Sequence, residues 1–422
     1  MLYESWRRVA RSRSGDLALH DLAAGRRWTF AELAAAAEAG RAGRAQLVFT
    51  QGPAADFIIT LLRAWRSNQV VCALEPGQAR PLLTRPLPRG IVHLKLTSGT
   101  TGAPRLAAFT AAQLRADLEN IVATMGLRRD WPNLGVISMA HSYGFSNLVL
   151  ALLLEGIPLI VVGSGLPEAV RRAAATEPAI TLAAVPALWR AWHEADAIPP
   201  NVRLAISAGA VLHLGLEQHV FERHALKIHN FYGSSECGGI AYDASSRPRE
   251  DATCAGAPLR NVHLSVAPGG CLVVRSRAVA QGYWPQAGNE LGKGVFHSCD
   301  LAELSGNLVY LRGRASDQIN VAGRKVSPEA IEEALAAHPA VRECVVFGAP
   351  SSDSKRGENV VACLAANGKV NRTALKHFLL ALLPAWQVPR EWWFVDTLQA
   401  NSHGKLSRAE CRKRYLEKCG PE

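Results

Sequence analysis

Apolar residues follow two rhythms through most of this chain. Leu47 to Thr50, Val70 to Leu74, Ile91 to Leu96, Pro158 to Val162, Thr181 to Val185, Val202 to Ser207 and Lys227 to Phe231 are apolar almost throughout, as strands covered on both faces are. Between them, Ala54 to Ser67, Pro186 to Ala195 and Leu214 to His224 repeat apolar residues at the spacing of a helix with one buried face. Val136-Ile137-Ser138 reads as a further strand. Such alternation predicts parallel sheets covered by helices. From Val262 to Val274 the rhythm shortens around Gly269-Gly270, which predicts a small β-subdomain. The expected class is α/β: a large N-terminal domain of helix-covered, mainly parallel sheets with a small β-subdomain, then a small α+β C-terminal domain.

The C-terminal domain begins after Gly313-Arg314. Ser327-Pro328-Glu329 reads as a helix start, with Ser at the N-cap, Pro at the first helical position and an acid in the first turn. That helix should run from Pro328 to Ala337 and stop before Pro339. Val341 to Phe347, Val360 to Ala365, a helix from Arg372 to Leu383, and Glu391 to Val395 complete the unit. The boundary falls between Arg314 and Asp317, dividing the chain into 1–314 and 315–422. The most hydrophobic stretch, Leu148 to Val162, contains Glu155, Gly156 and Pro158 and is too short to span a bilayer. A helix followed by a buried strand accounts for it.

Charge narrows the partners. Lys plus Arg minus Asp plus Glu is 47 − 36 = +11 over 422 residues, which favours anionic ligands such as nucleotides, CoA or an acidic carrier protein. The arginines are scattered through amphipathic segments such as Val170-Arg171-Arg172-Ala173, so nucleic acid is not expected as a partner. The nine cysteines, among them Cys72, Cys237, Cys254, Cys299 and Cys411, form no Cys-x-x-Cys pair. They read as reduced core thiols. Met1 to Arg8 has no apolar signal region, and a cytoplasmic protein with no membrane association is expected.

Candidate chemistry centres on Leu96-Thr97-Ser98-Gly99-Thr100-Thr101-Gly102-Ala103-Pro104-Arg105. Gly99 and Gly102 let backbone N–H groups converge on an anion, while Thr97, Ser98, Thr100 and Thr101 add hydroxyls and Arg105 a cation. The loop follows an expected strand and so sits at the ligand edge of an open α/β sheet. It is not a Walker loop, which ends in Gly-Lys-Ser/Thr.

This loop resembles the signature of the adenylate-forming superfamily, the AMP-dependent synthetases and ligases that include acyl-CoA synthetases. Four further segments extend the resemblance in order. Asn230-Phe231-Tyr232-Gly233-Ser234-Ser235-Glu236 is similar to the Tyr-Gly-x-Thr-Glu motif, and Phe296-His297-Ser298-Cys299-Asp300 to the segment ending Thr-Gly-Asp. Gly313-Arg314 opens the stretch through Gly323-Arg324-Lys325-Val326-Ser327-Pro328-Glu329, and Gly404-Lys405-Leu406-Ser407-Arg408 is similar to Gly-Lys-x-x-Arg.

The resemblance implies ATP- and Mg²⁺-dependent activation of a small carboxylic acid to an acyl-adenylate, then transfer to a thiol, with the C-terminal domain as a mobile lid. CoA is the expected acceptor, with the phosphopantetheine arm of an acyl carrier protein as the alternative. Glu236, with Thr100 nearby, is implied as the Mg²⁺ ligand; Asp300 and Arg314 as ribose or phosphate contacts; Gly233 and Ser235 as parts of the nucleotide loop. Tyr232 offers a face for adenine or is a core aromatic. Lys405 is implied as the cation bridging carboxylate and α-phosphate, where charge develops. His141 and Tyr143 occupy the place of a gate to the acid, or are structural. Ser207, Ala208 and Gly209 form a small-residue turn leaving room for a flat or linear acid. Ser146 stands where amino-acid-activating relatives place an aspartate, so amino acids are disfavoured. Arg105 for the usual lysine, Ser316 at the hinge, Asn320 and a shortened N-terminal region depart from the pattern. A non-catalytic nucleotide-binding relative is the rival reading; Lys405, Glu236, Asp300 and Arg314 together argue against it.

Overall fold

The computed structural model describes residues 2–40, 43, 45–81, 85–97, 105–351, 357–368, 370–398 and 407–419. Its parallel core is built on Ile180–Ala184, a strand buried at every position. Val202–Ser207 and then Ile228–Ser234 flank it on one side; Asn133–Gly135, Leu159–Val161 and Leu17–Asp21 follow in turn on the other, all parallel. A second sheet runs Leu47–Thr50, Val70–Ala73 and Ile91–Leu96 in parallel, then Leu106–Thr110 and Gly282–Trp284 antiparallel. Beyond Ile228–Ser234 the large sheet turns antiparallel through Gly238–Tyr242, Cys254–Pro258, Leu308–Arg314, Val295–Ser305, Cys271–Arg275 and His263–Val266. This is the expected β-subdomain.

Between the sheets lies the helical segment Phe145–Glu155, wound with the wider π spacing and buried from Phe145 to Leu154. Its apolar residues have no polar face to present, so both ends of the core close over it. Gly156, with φ 71°, ends it in the left-handed region that favours glycine. A strand, Leu159–Val161, follows as expected. Thr29 and Thr110 each start a helix through reciprocal bonds with Glu32 and Gln113.

Three expectations need correction. Pairing occupies Asn133–Gly135 and not Val136 to Ser138. Past Gly135 the chain leaves the sheet, because a Cβ on Gly144 would lie 2.0 Å from the Ser138 carbonyl oxygen and the Ser138 hydroxyl bonds the Ala140 N–H at 3.1 Å. Ser327 does precede the helix Pro328–Ala336, but its hydroxyl donates to Glu329 at 2.7 Å and caps no backbone group. The cysteines are not all core thiols: Cys299 is exposed and Cys254, Cys271 and Cys344 are half-buried.

After Arg314, Val341–Pro350 and Glu358–Ala366 pair antiparallel and Glu391–Val395 adds a parallel edge. Strand alternation sorts their side chains between two cores. Val346, Val360, Ala362 and Leu364 meet Ile331, Leu335, Leu375 and Leu379, whereas Val345, Phe347, Val361 and Cys363 meet Cys411 and Tyr415 of the helix Arg408–Cys419. Contacts that reach back to the preceding part include His213 Nδ1 2.6 Å from Glu333 Oε2 and Arg190 donating to the Arg342 carbonyl at 3.1 Å. Among the described residues, no helix is long and apolar enough to cross a membrane.

Candidate active site

Ile91–Leu96 ends at Thr97, whose N–H and hydroxyl both donate to the Arg105 carbonyl, at 2.8 and 3.1 Å. These bonds close the neck of the expected phosphate loop. Ser98, Gly99, Thr100, Thr101 and Gly102 lie outside the described residues, as does Lys405. Arg105 does not stand alone: its guanidinium covers the Tyr283 ring at 3.8 Å and pairs with Glu290 at 2.5 Å. The Tyr283 hydroxyl in turn donates to Glu236 Oε1 at 3.0 Å. Burial, and then the Glu236 carboxylate, push the Tyr283 phenol well above its ordinary range, so it stays a donor.

Glu236 sits on the turn joining Ile228–Ser234 to Gly238–Tyr242. Its N–H bonds the Ser234 hydroxyl at 3.2 Å, and its carbonyl accepts from the Ala280 N–H at 2.9 Å. Ser235 is half-buried in the same turn. A Cβ on Gly233 would lie 2.6 Å from the Gly238 carbonyl oxygen, so the hairpin closes only with glycine there. With one carboxylate oxygen given to Tyr283, Glu236 offers a hard oxygen donor of the kind that holds Mg²⁺ together with substrate phosphates. That donor set fits the metal.

The register of Val295–Ser305 against Leu308–Arg314 sets Asp300 beside Arg314. Arg314 Nε donates to Asp300 Oδ1 at 2.9 Å, and the Tyr232 hydroxyl to Oδ2 at 2.5 Å. Burial, reinforced by Asp300, raises the Tyr232 phenol far above its usual range; burial opposes the Arg314 charge, but Asp300 together with Asp317 and Tyr232 outweighs it and raises Arg314. Each carboxylate oxygen keeps a second lone pair for a hydroxyl. Sequence reading left Tyr232 between adenine platform and core aromatic; the structure gives its hydroxyl a third job, orienting Asp300.

Ser207 ends Val202–Ser207, fully buried, and its hydroxyl has no partner among the described residues. The Ala208 N–H bonds the Ala184 carbonyl at 3.2 Å, and Gly209 turns away with φ 89°. Tyr143 borders this turn, its hydroxyl on the Ile206 carbonyl at 3.3 Å and its ring 5.8 Å from Phe231. His141 Nε2 lies 3.4 Å from Glu75 Oε1, which also accepts from the Ser138 hydroxyl. Glu75, Ser138, Phe57 and Met139 help line a crevice of about 580 Å³. Ser146 donates to Asp117 at 2.6 Å, so an acid does stand behind that position. It is already engaged by the Gly239 N–H at 3.0 Å and by Lys95 at 3.8 Å.

Sequence reading missed Glu75, Tyr283 and Glu290, which carry no motif and are joined to the site only by folding. It also passed over Lys95 and Asp117, although a lysine inside an apolar strand run was a visible signal. The hinge candidate Ser316 is exposed and bonds Asp317 at 3.0 Å. Asp317 pairs with Arg408, which also holds Glu332 at 2.9 Å and the Val346 carbonyl at 2.8 Å.

The family described as AMP-binding enzyme matches residues 51–284, and the AMP-binding enzyme C-terminal domain matches 330–405. A "Probable 2-succinylbenzoate–CoA ligase" of Mycobacterium tuberculosis (strain CDC 1551 / Oshkosh) is 30% identical over 347 residues, 76% of this chain and 83% of the relative. A feruloyl-CoA synthase of Amycolatopsis sp is 29% identical over 345 residues, 76% of this chain and 69% of that one. In fold, ATP-bound MatB from Rhodopseudomonas palustris superposes with a TM-score of 0.86 at 19% identity, covering 100% of both chains. The o-succinylbenzoate CoA synthetase MenE from Bacillus subtilis, in complex with the acyl-adenylate intermediate OSB-AMP, gives 0.80 at 20% identity over 97% of each chain.

Proposed function

The chain belongs to the AMP-binding enzyme family, and from that premise we propose that it joins an aryl carboxylic acid to CoA through an acyl-adenylate. The acid's carboxylate attacks the α-phosphorus of ATP and pyrophosphate leaves. The CoA sulfur then attacks the acyl carbon, and AMP leaves. Both joining steps bring anions together, so neutralisation and alignment are what the protein must supply. The observation that carries the reading is that the Tyr232–Asp300–Arg314 cluster and the Glu236–Tyr283–Arg105 chain are both anchored on one hairpin, Tyr232 on its first strand and Glu236 in its turn.

In this reading Asp300 accepts the ribose hydroxyls, Arg314 contacts ribose or phosphate, and Glu236 with Thr100 holds Mg²⁺, which supplies charge neutralisation on the phosphates. Thr97 to Gly102 cradle the phosphates, Arg105 and Ser235 border them, and Lys405 bridges carboxylate and α-phosphate. His141, oriented by Glu75, and Tyr143 face the acid's carboxylate end; Ser207, Ala208 and Gly209 wall its tail. Residues 1–314 act as the nucleotide- and acid-binding domain and 315–422 as the lid, turning about Ser316. An aryl acid is favoured because the relatives are named for 2-succinylbenzoate and ferulate and because Asp117 is taken, leaving an α-ammonium group without a counter-charge at Ser146. CoA is favoured over a carrier protein by the same names.

ATP–pyrophosphate exchange over a panel of aryl, fatty and amino acids, with CoA-thioester formation read by mass spectrometry, tests the proposal. Exchange should depend on an aryl acid and be followed by thioester when CoA is added. A proteinogenic amino acid as the best substrate, or exchange with no acid of any class, would overturn it.

A further inference from the structure

Lys95 is a charged residue where the fold has no place for solvent. Its side chain is 2% exposed and that of Asp117 is 1%. The ammonium lies 3.0 Å from Ser142 Oγ, 3.5 Å from Ser146 Oγ and 3.8 Å from Asp117 Oδ2, with the Phe109 ring beneath it at 4.7 Å. Asp117 completes the set by accepting from the Ser146 hydroxyl and the Gly239 N–H. The approach is close enough that a Cβ on Gly238, whose φ is 72°, would fall 2.0 Å from Asp117 Oδ1.

The partners come from separate parts of the chain. Lys95 is two residues before Thr97 at the neck of the phosphate loop. Ser142 directly follows His141, and Ser146 is one helical turn on. Gly239 lies three residues past Glu236, across Gly238. Replacing a buried ion pair by apolar residues is often neutral or stabilising, so stability alone is a poor reason for this one. Burial lowers the Lys95 pKa while Asp117, Cys237 and Glu236 oppose that shift, which places the ammonium within the electrostatic reach of the Glu236 turn.

We propose that the buried Lys95–Asp117 pair is the positioning element of the site: one internal joint that holds the phosphate-loop strand, the His141–Tyr143 turn and the Glu236 turn in register. Lys95 and Asp117 touch no substrate; they act through the residues they bind. The inference rests on the reading of those segments as the adenylation site, and the first test below is independent of it.

Hydrogen–deuterium exchange on full-length Lys95→Met reads the joint without any substrate. Amide exchange should quicken by about tenfold or more in residues 141–146 and 236–239 together, since Ser142 and Ser146 lose a donor and Asp117, which holds the Gly239 N–H, is left as an unpaired buried charge. Acceleration confined to Ile91–Leu96 would overturn the proposal. The kinetic test uses Lys95→Met/Asp117→Asn, which removes both charges but keeps an acceptor for the Gly239 N–H. Its Tm should return to near wild type, while kcat for ATP–pyrophosphate exchange stays about ten- to a hundredfold down with KM for ATP little changed, the scale of a small misplacement of reacting groups. A kcat that recovers together with Tm would show the pair to be structural only. Failure of the wild-type protein to exchange with any acid would instead sink the functional reading, leaving the amide-exchange result to decide the joint.

Discussion

Asp300→Asn isolates one negative charge at the end of the site proposed for the nucleotide. In the wild type both carboxylate oxygens are engaged, by Tyr232 at 2.5 Å and Arg314 at 2.9 Å, and the side chain is 17% exposed. Asparagine keeps the shape and one acceptor. Its amide nitrogen can donate to the Tyr232 oxygen, so the oxygen left for Arg314 is neutral, and so is the acceptor met by the ribose. Bonds to a charged group contribute about 1.5–3 kcal/mol against about 0.5–1.5 for neutral ones, a loss of about 1–1.5 kcal/mol per bond. Two ribose hydroxyls are proposed to donate to this group, and with Asp300 17% exposed water screens part of each bond; the Arg314 bond, internal to the protein, counts in Tm instead. The net is about 1.5–2 kcal/mol, which is a rise of about ten- to thirtyfold in KM for ATP. Initial rates of ATP–pyrophosphate exchange at saturating acid measure it, with Tm as the folding control. KM for the acid should stay within about twofold, because the acid is proposed to meet His141, Tyr143 and the Ser207–Gly209 turn and not Asp300. An ATP KM within about threefold of wild type, or an equal rise for the acid, would refute the assignment of Asp300 to the nucleotide.

Lys405→Ala should leave ATP binding nearly intact and lower adenylate formation by about two to three orders of magnitude, the scale of losing a main electrostatic stabiliser; exchange near the wild-type rate would remove Lys405 from the chemistry. Glu236→Gln should raise the Mg²⁺ concentration needed for half-maximal rate, because the proposed metal ligand is weakened without leaving its turn; an unchanged Mg²⁺ titration would count against it. Ser316→Pro should impair thioester formation from preformed acyl-adenylate more than adenylation, since a fixed φ restricts rotation about the hinge, and equal losses would place the pivot elsewhere. Acid unfolding should report Asp243: burial opposes its ionisation, but bonds from Lys227 at 2.6 Å and from Ser245 outweigh it and lower its pKa. A depressed folded pKa contributes stability above the unfolded value of about 3.8 that is lost as pH falls through the folded one. Asp243→Asn should therefore flatten the stability curve below about pH 4, and an unchanged acid limb in circular dichroism would refute this.

Much of the fold was legible in the chain. Val202 to Ser207 and Leu214 to His224 were bounded to the residue, because a strand buried at every position but Arg203 and a one-sided helix each impose their own period on composition. Periodicity erred at Val136 to Ser138, where apolar composition continues but the Gly144 approach takes the backbone out of the sheet. It also could not show the wide turns of Phe145–Glu155, since a segment apolar on every side has no face to count.

The candidate site divides the same way. Thr97, Glu236, Asp300 and Arg314 could be named from sequence because each lies in a short contiguous motif whose local geometry carries its chemistry. That Tyr232 orients Asp300, that Tyr283 bonds Glu236 under Arg105, that Glu75 reaches His141 and that Lys95 and Asp117 join separate turns were decided by tertiary structure alone. These partners are far apart in the chain, and no local pattern encodes a meeting that depends on which strands become neighbours. The chain by itself determined which groups could handle ATP and an acid. Sheet order and the buried joints between segments decided where those groups point and which of them are free to act, because directional bonds and the cost of buried charge depend on distances that only packing sets.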